Sequence, residues 1–301
     1  MDVSVIIPCC NEYPQVLFTV QSVVEELEHT GYEYEILVVS NRSTDKTNEY
    51  FTGLKSSLTR NGRLRFFAYE DRLSHWQAKN LGVSEASGRH LFFLDAHCIL
   101  GRDTMKHLIE FADGFEGRLG GVHCLIRYML DPHLLEYAVK DRLQYRFCSA
   151  NGHTEPYEVP VMSTCGMLVP RSTFDEVGAW SPELGIYGGG EAYINWKMTT
   201  CGYEQWNHPQ AICWHYADKR GYSWNYNDFV RNSFIAAYVV AGEDELEQEA
   251  RNRLDYKKDR PEVILPMRDD VMEKCKSDRD FVASRQVTTL DAVLKQWESR
   301  K

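Results

Sequence analysis

Apolar and polar residues alternate along the first hundred positions in a way that predicts strands followed by helices. Val3–Pro8 is a short apolar run ended by a proline, and apolar residues then recur at helical spacing from Leu17 to Leu27. Further apolar strands are predicted at Glu35–Val39, Leu64–Tyr69 and Arg89–Leu94. Ser43 is placed to cap the helix after the second strand. This alternation is typical of a mostly parallel sheet with helices on its faces.

From about residue 101 the pattern becomes less regular. It predicts helices near Thr104–Phe111, near Leu134–Phe147 and from Glu191 to about Thr200. It predicts strands at Val122–Tyr128, Glu158–Pro170 and near Ala211–His215. The tail after about Gly242 is strongly charged. We therefore expect one α/β domain over residues 1–242 and a charged helical C-terminal extension over residues 243–301.

The composition is that of an ordinary acidic globular protein. Lys and Arg number 34 against 44 Asp and Glu, a formal net charge of −10, and 43% of the residues are apolar. This balance gives no general attraction to phosphate backbones, so nucleic acid is not the default partner. No apolar run reaches the ~20 residues that span a bilayer, and the first residues lack a signal-peptide layout. We therefore expect a cytoplasmic protein.

The nine cysteines are odd in number and show no C-x-x-C spacing. They stand at Cys9, Cys10, Cys98, Cys124, Cys148, Cys165, Cys201, Cys213 and Cys275. This pattern favours free, mostly buried thiols over a disulfide framework or a zinc site.

Candidate chemistry lies just after the predicted strands, where open α/β sheets bind their ligands. Three segments stand there: Pro8–Tyr13, Ser40–Asp45 and Asp95–Cys98. In the last of these, Asp95 and His97 are two residues apart and can face one divalent cation, such as manganese, which would neutralise a diphosphate. Taken without its context, the pair is more simply interpreted as a turn aspartate beside a surface histidine.

The order of these segments resembles the glycosyltransferases of family 2, which have the Rossmann-like A-type fold. Pro8-Cys9-Cys10-Asn11-Glu12 is similar to their P-x-x-N-E motif. Their later motifs are matched by Ser40–Asp45, Ala78–Gly82 and Phe92–His97. The resemblance implies a nucleotide-binding half over residues 1–100 and an acceptor-binding half over residues 101–242. It implies that the donor is bound by Pro8, Cys9, Asn11, Glu12, Asn41, Lys79 and Asp95.

The second half is similar to the polypeptide N-acetylgalactosaminyltransferases. The matching segments are Cys165–Leu168 with Phe174–Gly178, Tyr187–Ala192, and Trp214-His215-Tyr216. This resemblance implies that Asp95, His97 and His215 hold the cation, Mn²⁺ or Mg²⁺. It implies that a loop carrying Arg220 closes over the donor, and it suggests an N-acetylhexosamine as the donor sugar.

Two departures from these families affect specificity and catalysis. Paired aspartates of family 2 are replaced by Ser40 and Asn41, which leaves the choice of nucleobase open. A Glu-Asp pair that supplies the base in inverting members reads Glu191-Ala192 here. Either Glu191 takes the acceptor proton, or the enzyme retains anomeric configuration with help from the leaving diphosphate. A role for Glu191 in positioning the substrate is the favoured interpretation.

The resulting prediction is a metal-dependent glycosyltransferase that uses a nucleotide sugar, most simply a UDP-sugar, with Asp95 and Glu191 as catalytic residues. Its acceptor is a glycan, a protein, or a hydroxymethylated base in DNA. The DNA alternative draws on a basic stretch of the tail that contains Arg251, Arg253, Tyr256, Lys257, Lys258 and Arg260. A nucleotidyltransferase and a non-catalytic sugar-nucleotide-binding module remain as rivals. A nucleotidyltransferase is expected to have a glycine-rich loop after its first strand, and Pro8–Tyr13 of this sequence contains no glycine.

Overall fold

The structure is a computed structural model that describes residues 1–150, 152–216, 221–255 and 260–299. The first part of the chain alternates strands and helices as the sequence predicts. Its elements are β1 (Val3–Cys9), α1 (Gln15–Glu28), β2 (Tyr34–Asn41), α2 (Thr47–Gly53), α3 (Ser57–Arg60), β3 (Leu64–Tyr69), α4 (His75–Glu85) and β4 (His90–Phe93). All residues of β1, β2 and β4 are buried, because other elements cover both faces of the sheet.

The second part contains more antiparallel structure and ends in helices. Its strands are β5 (Cys98–Leu100), β6 (Leu119–Tyr128), β7 (Leu135–Asp141), β8 (Gln144–Ser149), β9 (Tyr157–Glu158), β10 (Met167–Pro170) and β11 (Glu204–His215). Its helices are α5 (Thr104–Gly114), α6 (Arg171–Val177), α7 (Gly190–Thr200), α8 (Tyr226–Ala241), α9 (Glu243–Leu254), α10 (Pro261–Lys274), α11 (Lys276–Ala283) and α12 (Leu290–Glu298).

One mixed sheet joins the two parts, in the order β3-β2-β1-β4-β10-β6-β11-β5. Strands β3, β2, β1 and β4 are mutually parallel, β10 runs antiparallel to both β4 and β6, and β11 is parallel to β6. The α/β class and the mostly parallel sheet are therefore confirmed. Because β11 shares the direction of β1 and β4, its last residue, His215, reaches the same edge as Asp95.

The helix predicted near Leu134–Phe147 is wrong, because this segment forms the hairpin of β7 and β8. Tyr137 pairs with Phe147 and Val139 with Tyr145 across the hairpin, and such aromatic and β-branched pairs stabilise strands. The turn contains Arg142 at φ 41°, and its guanidinium pairs with Glu245 of α9. Contacts distant in sequence therefore override the helical spacing.

Two smaller expectations also need correction. Ser43 does not cap a helix, since α2 begins later and the Ser43 hydroxyl accepts a hydrogen bond from the Asn11 amide. The strand predicted over Glu158–Pro170 is instead the end of β9, an irregular stretch and β10. That irregular stretch carries Thr164 and Cys165 into the cleft described below.

The C-terminal helices pack on the rest of the fold. Leu246, Ile264 and Val293 belong to the same buried hydrophobic cluster as Ile6 and other residues of the sheet. The division of the chain at residue 242 stays a prediction. Among the described residues, no helix combines the length and apolar character needed to cross a bilayer.

Candidate active site

A cleft of about 1080 Å³ opens at the carboxyl edge of the sheet, where ligands of α/β proteins bind. The structure brings nine of the predicted site residues together around it: Pro8, Cys9, Glu12, Asn41, Lys79, Asp95, His97, Glu191 and His215. Within the described part of the chain, Asn11 is the predicted residue that does not line this cleft. Arg220 lies outside the described residues.

Asp95 and His215 face each other although 120 positions separate them in the sequence. The Asp95 carboxylate follows β4 and His215 ends β11, and 3.6 Å separates Asp95 Oδ2 from His215 Nε2. This distance is too long for a hydrogen bond. Desolvation alone would raise the pKa of the Asp95 carboxyl, but His215, Lys79 and His97 outweigh it and hold the pKa well below its usual range. Asp95 is therefore ionised at neutral pH.

His97 is held between His215 and Glu12. Its ring meets the His215 ring edge-on with 4.7 Å between the centroids, and its backbone carbonyl accepts a hydrogen bond from the Tyr216 amide. The His97 Nδ1 atom lies 3.2 Å from Glu12 Oε1. Desolvation would lower the pKa of His97, but the carboxylates of Glu12 and Asp95 outweigh it, so the pKa is raised above 6.5.

Asp95 and His215 fit a divalent cation, and His97 lies beside them. Donor atoms of Asp95, His215 and Cys165 lie within 4.8 Å of one another, whereas His97 does not belong to that group. One carboxylate oxygen and two imidazoles are a donor set typical of borderline divalent ions. The Asp95–His215 separation leaves room for one ion between the two atoms. Glu12 contacts the Nδ1 side of His97, as carboxylates do for many metal-binding histidines, and this leaves Nε2 available.

Cys165 also borders this group, which sequence reasoning did not anticipate. Its sulfur lies within 4.8 Å of a donor atom of Asp95 and of one of His215. A single cysteine in an apolar segment does not indicate a ligand-binding position. The irregular stretch before β10 brings Cys165 close to Asp95 and His215.

Lys79 brings a positive charge to the floor of the cleft. It is 1% exposed, and its ammonium lies 4.9 Å from the centre of the Trp76 ring and 5.7 Å from that of Trp180. Its Nζ donates a hydrogen bond of 2.9 Å to Thr164 Oγ1. Aromatic faces and one hydroxyl thus stabilise a nearly buried cation.

Glu191 lies at the start of α7 and is fixed by two hydroxyl groups. Tyr145 Oη donates to Glu191 Oε2 over 2.9 Å, and Thr164 Oγ1 donates to Glu191 Oε1 over 3.3 Å. Because Thr164 also accepts from Lys79, a hydrogen-bonded chain connects the ammonium to the carboxylate. Tyr145 and Thr164 were missed, since Tyr145 belongs to the hairpin that was predicted as a helix.

The glycines before Glu191 fix where α7 begins. Gly189 has φ +68°, and a Cβ there would lie 2.3 Å from the Asn232 carbonyl oxygen. A Cβ on Gly190 would lie 2.1 Å from the Trp76 ring. Only glycine allows this close approach of α7 to α4 and α8.

We expect Gly189→Ala to lower the free energy of unfolding by about 3 kcal/mol, from left-handed strain and overpacking together. The matched control is Gly114→Ala at the end of α5, where a Cβ meets nothing within 4 Å. That substitution is expected to raise stability by about 0.5 kcal/mol. Urea unfolding measures the change in the free energy of unfolding for each variant. Equal changes in the two variants would contradict the assigned packing.

Asn11 connects two loops at the cleft edge. Its Oδ1 accepts from the Thr44 and Asp45 amides at 2.6 Å and 3.1 Å, and its Nδ2 donates to the Gly221 carbonyl at 2.9 Å. Its amide is therefore occupied by contacts within the protein. This arrangement favours a positioning role over direct donor contact.

Asn41 presents an amide donor to the cleft. Its Oδ1 accepts from the Ser74 amide at 3.3 Å, whereas its buried Nδ2 has no hydrogen-bond partner among the described residues. Neighbouring Ser40 donates to Asn48 instead. Buried polar groups usually have a partner, so Nδ2 is available to a ligand acceptor.

Comparison with known proteins places the chain in a family. The family model described as glycosyl transferase family 2 matches residues 4–178, more than half of the 301 residues. A putative polypeptide N-acetylgalactosaminyltransferase 13 from Drosophila melanogaster is 25% identical over 227 residues, covering 67% of this chain and 39% of the relative. A poly-beta-1,6-N-acetyl-D-glucosamine synthase from Staphylococcus epidermidis is 25% identical over 218 residues, covering 70% of this chain and 49% of the relative.

The fold has a close counterpart among solved structures. The crystal structure of GalNAc-T7 with UDP, GalNAc and Mn²⁺ superposes with a TM-score of 0.73 at 19% identity, covering 98% of this chain and 56% of that one. The chain spans less than half the length of the two curated relatives. The family match, together with the shared A-type fold, shows that this chain belongs to glycosyl transferase family 2.

Proposed function

We propose that this protein transfers a sugar from a UDP-sugar to an acceptor hydroxyl, with a divalent cation, preferably Mn²⁺, held by Asp95, His97 and His215. The observation that carries the proposal is the convergence of these three side chains at the carboxyl edge of the sheet, in a cleft large enough for a nucleotide sugar. Asp95 contributes the negative charge, and Glu12 orients His97.

The relatives support the choice of donor. The names of the Drosophila and Staphylococcus relatives both contain an N-acetylhexosamine, and the GalNAc-T7 structure contains UDP, GalNAc and Mn²⁺. We therefore propose a UDP-N-acetylhexosamine as donor. In this proposal Asn41 Nδ2, which has no hydrogen-bond partner among the described residues, donates to a carbonyl oxygen of the base.

The mechanism is mainly electrostatic. A bound divalent cation supplies charge that stabilises the departing diphosphate. Lys79 adds a second positive charge from the floor of the cleft, where partial exclusion of water strengthens it. Lys79 thus stabilises the charge that develops on the leaving group.

Glu191 acts on the acceptor side. Tyr145 and Thr164 hold its carboxylate in one orientation, so that it accepts a hydrogen bond from the acceptor hydroxyl and directs that oxygen toward the sugar. This is a positioning role compatible with either anomeric outcome.

Acidic pH is expected to weaken Mn²⁺ binding. A cation binds the neutral imidazole, so below the raised pKa of His97 it competes with a proton, and affinity falls from above pH 6.5 downward by up to about tenfold per pH unit. Glu12→Gln removes a carboxylate that raises the pKa of His97. The pH at which half of the Mn²⁺ affinity is lost therefore moves lower. Affinity at pH 8 also falls by about 10- to 100-fold.

Electron paramagnetic resonance of free Mn²⁺ measures both effects in the purified chain. A midpoint that is the same in the wild type and in Glu12→Gln would contradict the assigned contact. Glu116→Gln, an exposed carboxylate away from the cleft, is the control and should follow the wild type.

The function is tested by incubating the full chain with a panel of nucleotide sugars and Mn²⁺, and measuring released nucleoside diphosphate. We expect UDP release from a UDP-N-acetylhexosamine that a chelator abolishes and Mn²⁺ restores. Calorimetric donor binding without any release would instead favour the non-catalytic module. Pyrophosphate release from UTP and a sugar phosphate would favour the nucleotidyltransferase.

The acceptor classes are glycans, proteins and hydroxymethylated DNA. Within the basic tail stretch, Arg253 is 7% exposed and donates to Glu249 at 2.8 Å, so its charge is used inside the protein. Lys257 and Lys258 lie outside the described residues. We therefore place glycans and proteins first in an acceptor screen, with DNA as the third arm.

A further inference from the structure

Behind the Asp95–His215 pair lies a group of thiols that the sugar transfer does not use. The sulfurs of Cys98, Cys165 and Cys213 all lie within 4.8 Å of one another, and all three residues are buried. We refer to these three residues as the thiol cluster. The nine cysteines are free, and these three are drawn from distant parts of the chain.

The sheet itself brings these sulfurs together. Cys98 is the partner of His215 in the antiparallel ladder of β5 and β11, and Cys213 precedes His215 by two positions. Opposite residues in a ladder, and residues two apart in a strand, point to the same face of a sheet. Cys165 approaches from the stretch before β10, with 3.3 Å between its sulfur and that of Cys98.

The spacing suits a soft cation better than a disulfide. A disulfide would join two sulfurs and leave the third unused, whereas all three sulfurs here converge on one point. Zinc–sulfur bonds of about 2.3 Å place the sulfurs of one site about 4 Å apart, within the range that the thiol cluster shows. Cys124, whose thiol contacts Cys213, lies next to the thiol cluster without belonging to it.

The backbone leaves room for this arrangement. Gly166, next to Cys165, has φ +84°, and a Cβ there would lie 2.2 Å from the Cys124 sulfur. Glycine at 166 therefore permits the close packing of sulfurs at this point. Cys165 also lines the cleft, which gives an ion a route to the cluster.

We propose that the thiol cluster binds one thiophilic divalent cation of the zinc class, at a site separate from the cleft cation. As each sulfur–metal bond forms, that thiol releases its proton to solvent, and no electron is transferred. Cys165 also borders Asp95 and His215, so the two sites are neighbours.

Cadmium is the probe, because cadmium thiolates absorb in the ultraviolet. Reduced, metal-stripped full chain is titrated with Cd²⁺, and bound metal is counted by elemental analysis. We expect one equivalent of bound Cd²⁺ with a thiolate charge-transfer band. The band should persist in Asp95→Asn, whose cleft site is disabled, so this test does not depend on the proposed sugar transfer.

Cys213→Ala and Cys98→Ala should each lose the band and the bound equivalent. Cys275→Ala, an equally buried cysteine among the C-terminal helices, is the matched control and should keep both. Circular dichroism confirms that the compared variants are folded. Two cluster variants are used so that the test still holds if one of them does not fold. Absence of the band in the wild type, its persistence in the folded cluster variants, or pairing of two sulfurs in a disulfide in place of metal binding would overturn the proposal.

Discussion

Asp95→Asn is expected to reduce UDP release by about a thousandfold or more. The substitution keeps the size of the side chain but removes the charge that faces His215 and Lys79. Loss of the cation's stabilisation of the leaving diphosphate is expected to cost about 4 kcal/mol, which corresponds to this factor. A steady-state assay at saturating donor, with Mn²⁺ binding measured in parallel, should show both losses.

The control for this variant is Asp175→Asn, an exposed carboxylate on α6 outside the cleft. It should keep wild-type turnover and Mn²⁺ affinity. If folded Asp95→Asn released UDP at a rate within a few-fold of the control, the assigned role of Asp95 would be wrong.

Glu191→Gln is expected to lower sugar transfer by about a hundredfold, at the lower end of the range for loss of a positioned acid–base group. Hydrolysis of the donor by water should stay close to the wild-type rate, because the leaving-group side of the cleft is unchanged. The difference follows from the proposed place of Glu191 on the acceptor side, where Tyr145 and Thr164 hold its carboxylate. Separate assays with and without acceptor measure the two reactions.

Tyr145→Phe provides a graded comparison, because it removes one of the two hydrogen bonds to Glu191. We expect a smaller loss of transfer, about tenfold, with a raised KM for the acceptor. Equal loss of transfer and of donor hydrolysis in Glu191→Gln would assign Glu191 to donor binding and contradict the proposed role.

The sequence predicted the parts of the fold that depend on local periodicity. The apolar runs at Val3–Pro8 and Leu64–Tyr69 form strands within one residue of the expected bounds, because both are short apolar runs with clear ends. These strands fix the sheet edge at which Asp95 lies. Strand periodicity does not say which strands end at the same edge of the sheet. The proximity of Asp95 and His215 was therefore predicted from the family resemblance alone.

The parts that sequence reasoning missed depend on contacts between distant segments. The spacing of apolar residues in 134–147 fits a helix, yet pairing of Tyr137 with Phe147 makes a hairpin. That error hid Tyr145, which holds Glu191. The irregular stretch that carries Thr164 and Cys165 was predicted as part of one strand, so its contribution to the cleft appears only in three dimensions.

Asn11 shows a different limit. Its motif points to the donor site, but the motif does not distinguish a residue that contacts a ligand from one that shapes the loops around it. Its side-chain amide is used by Thr44, Asp45 and Gly221. Only these hydrogen bonds separate the two roles.

The most direct test of the central claim is an anomalous difference map, at the manganese absorption edge, from crystals of the full chain grown with Mn²⁺ and UDP. We predict one manganese peak in the cleft, bonded to Asp95, to nitrogen atoms of His97 and His215, and to the diphosphate. A manganese ion elsewhere, or UDP bound in the cleft without manganese at these three residues, would contradict the account.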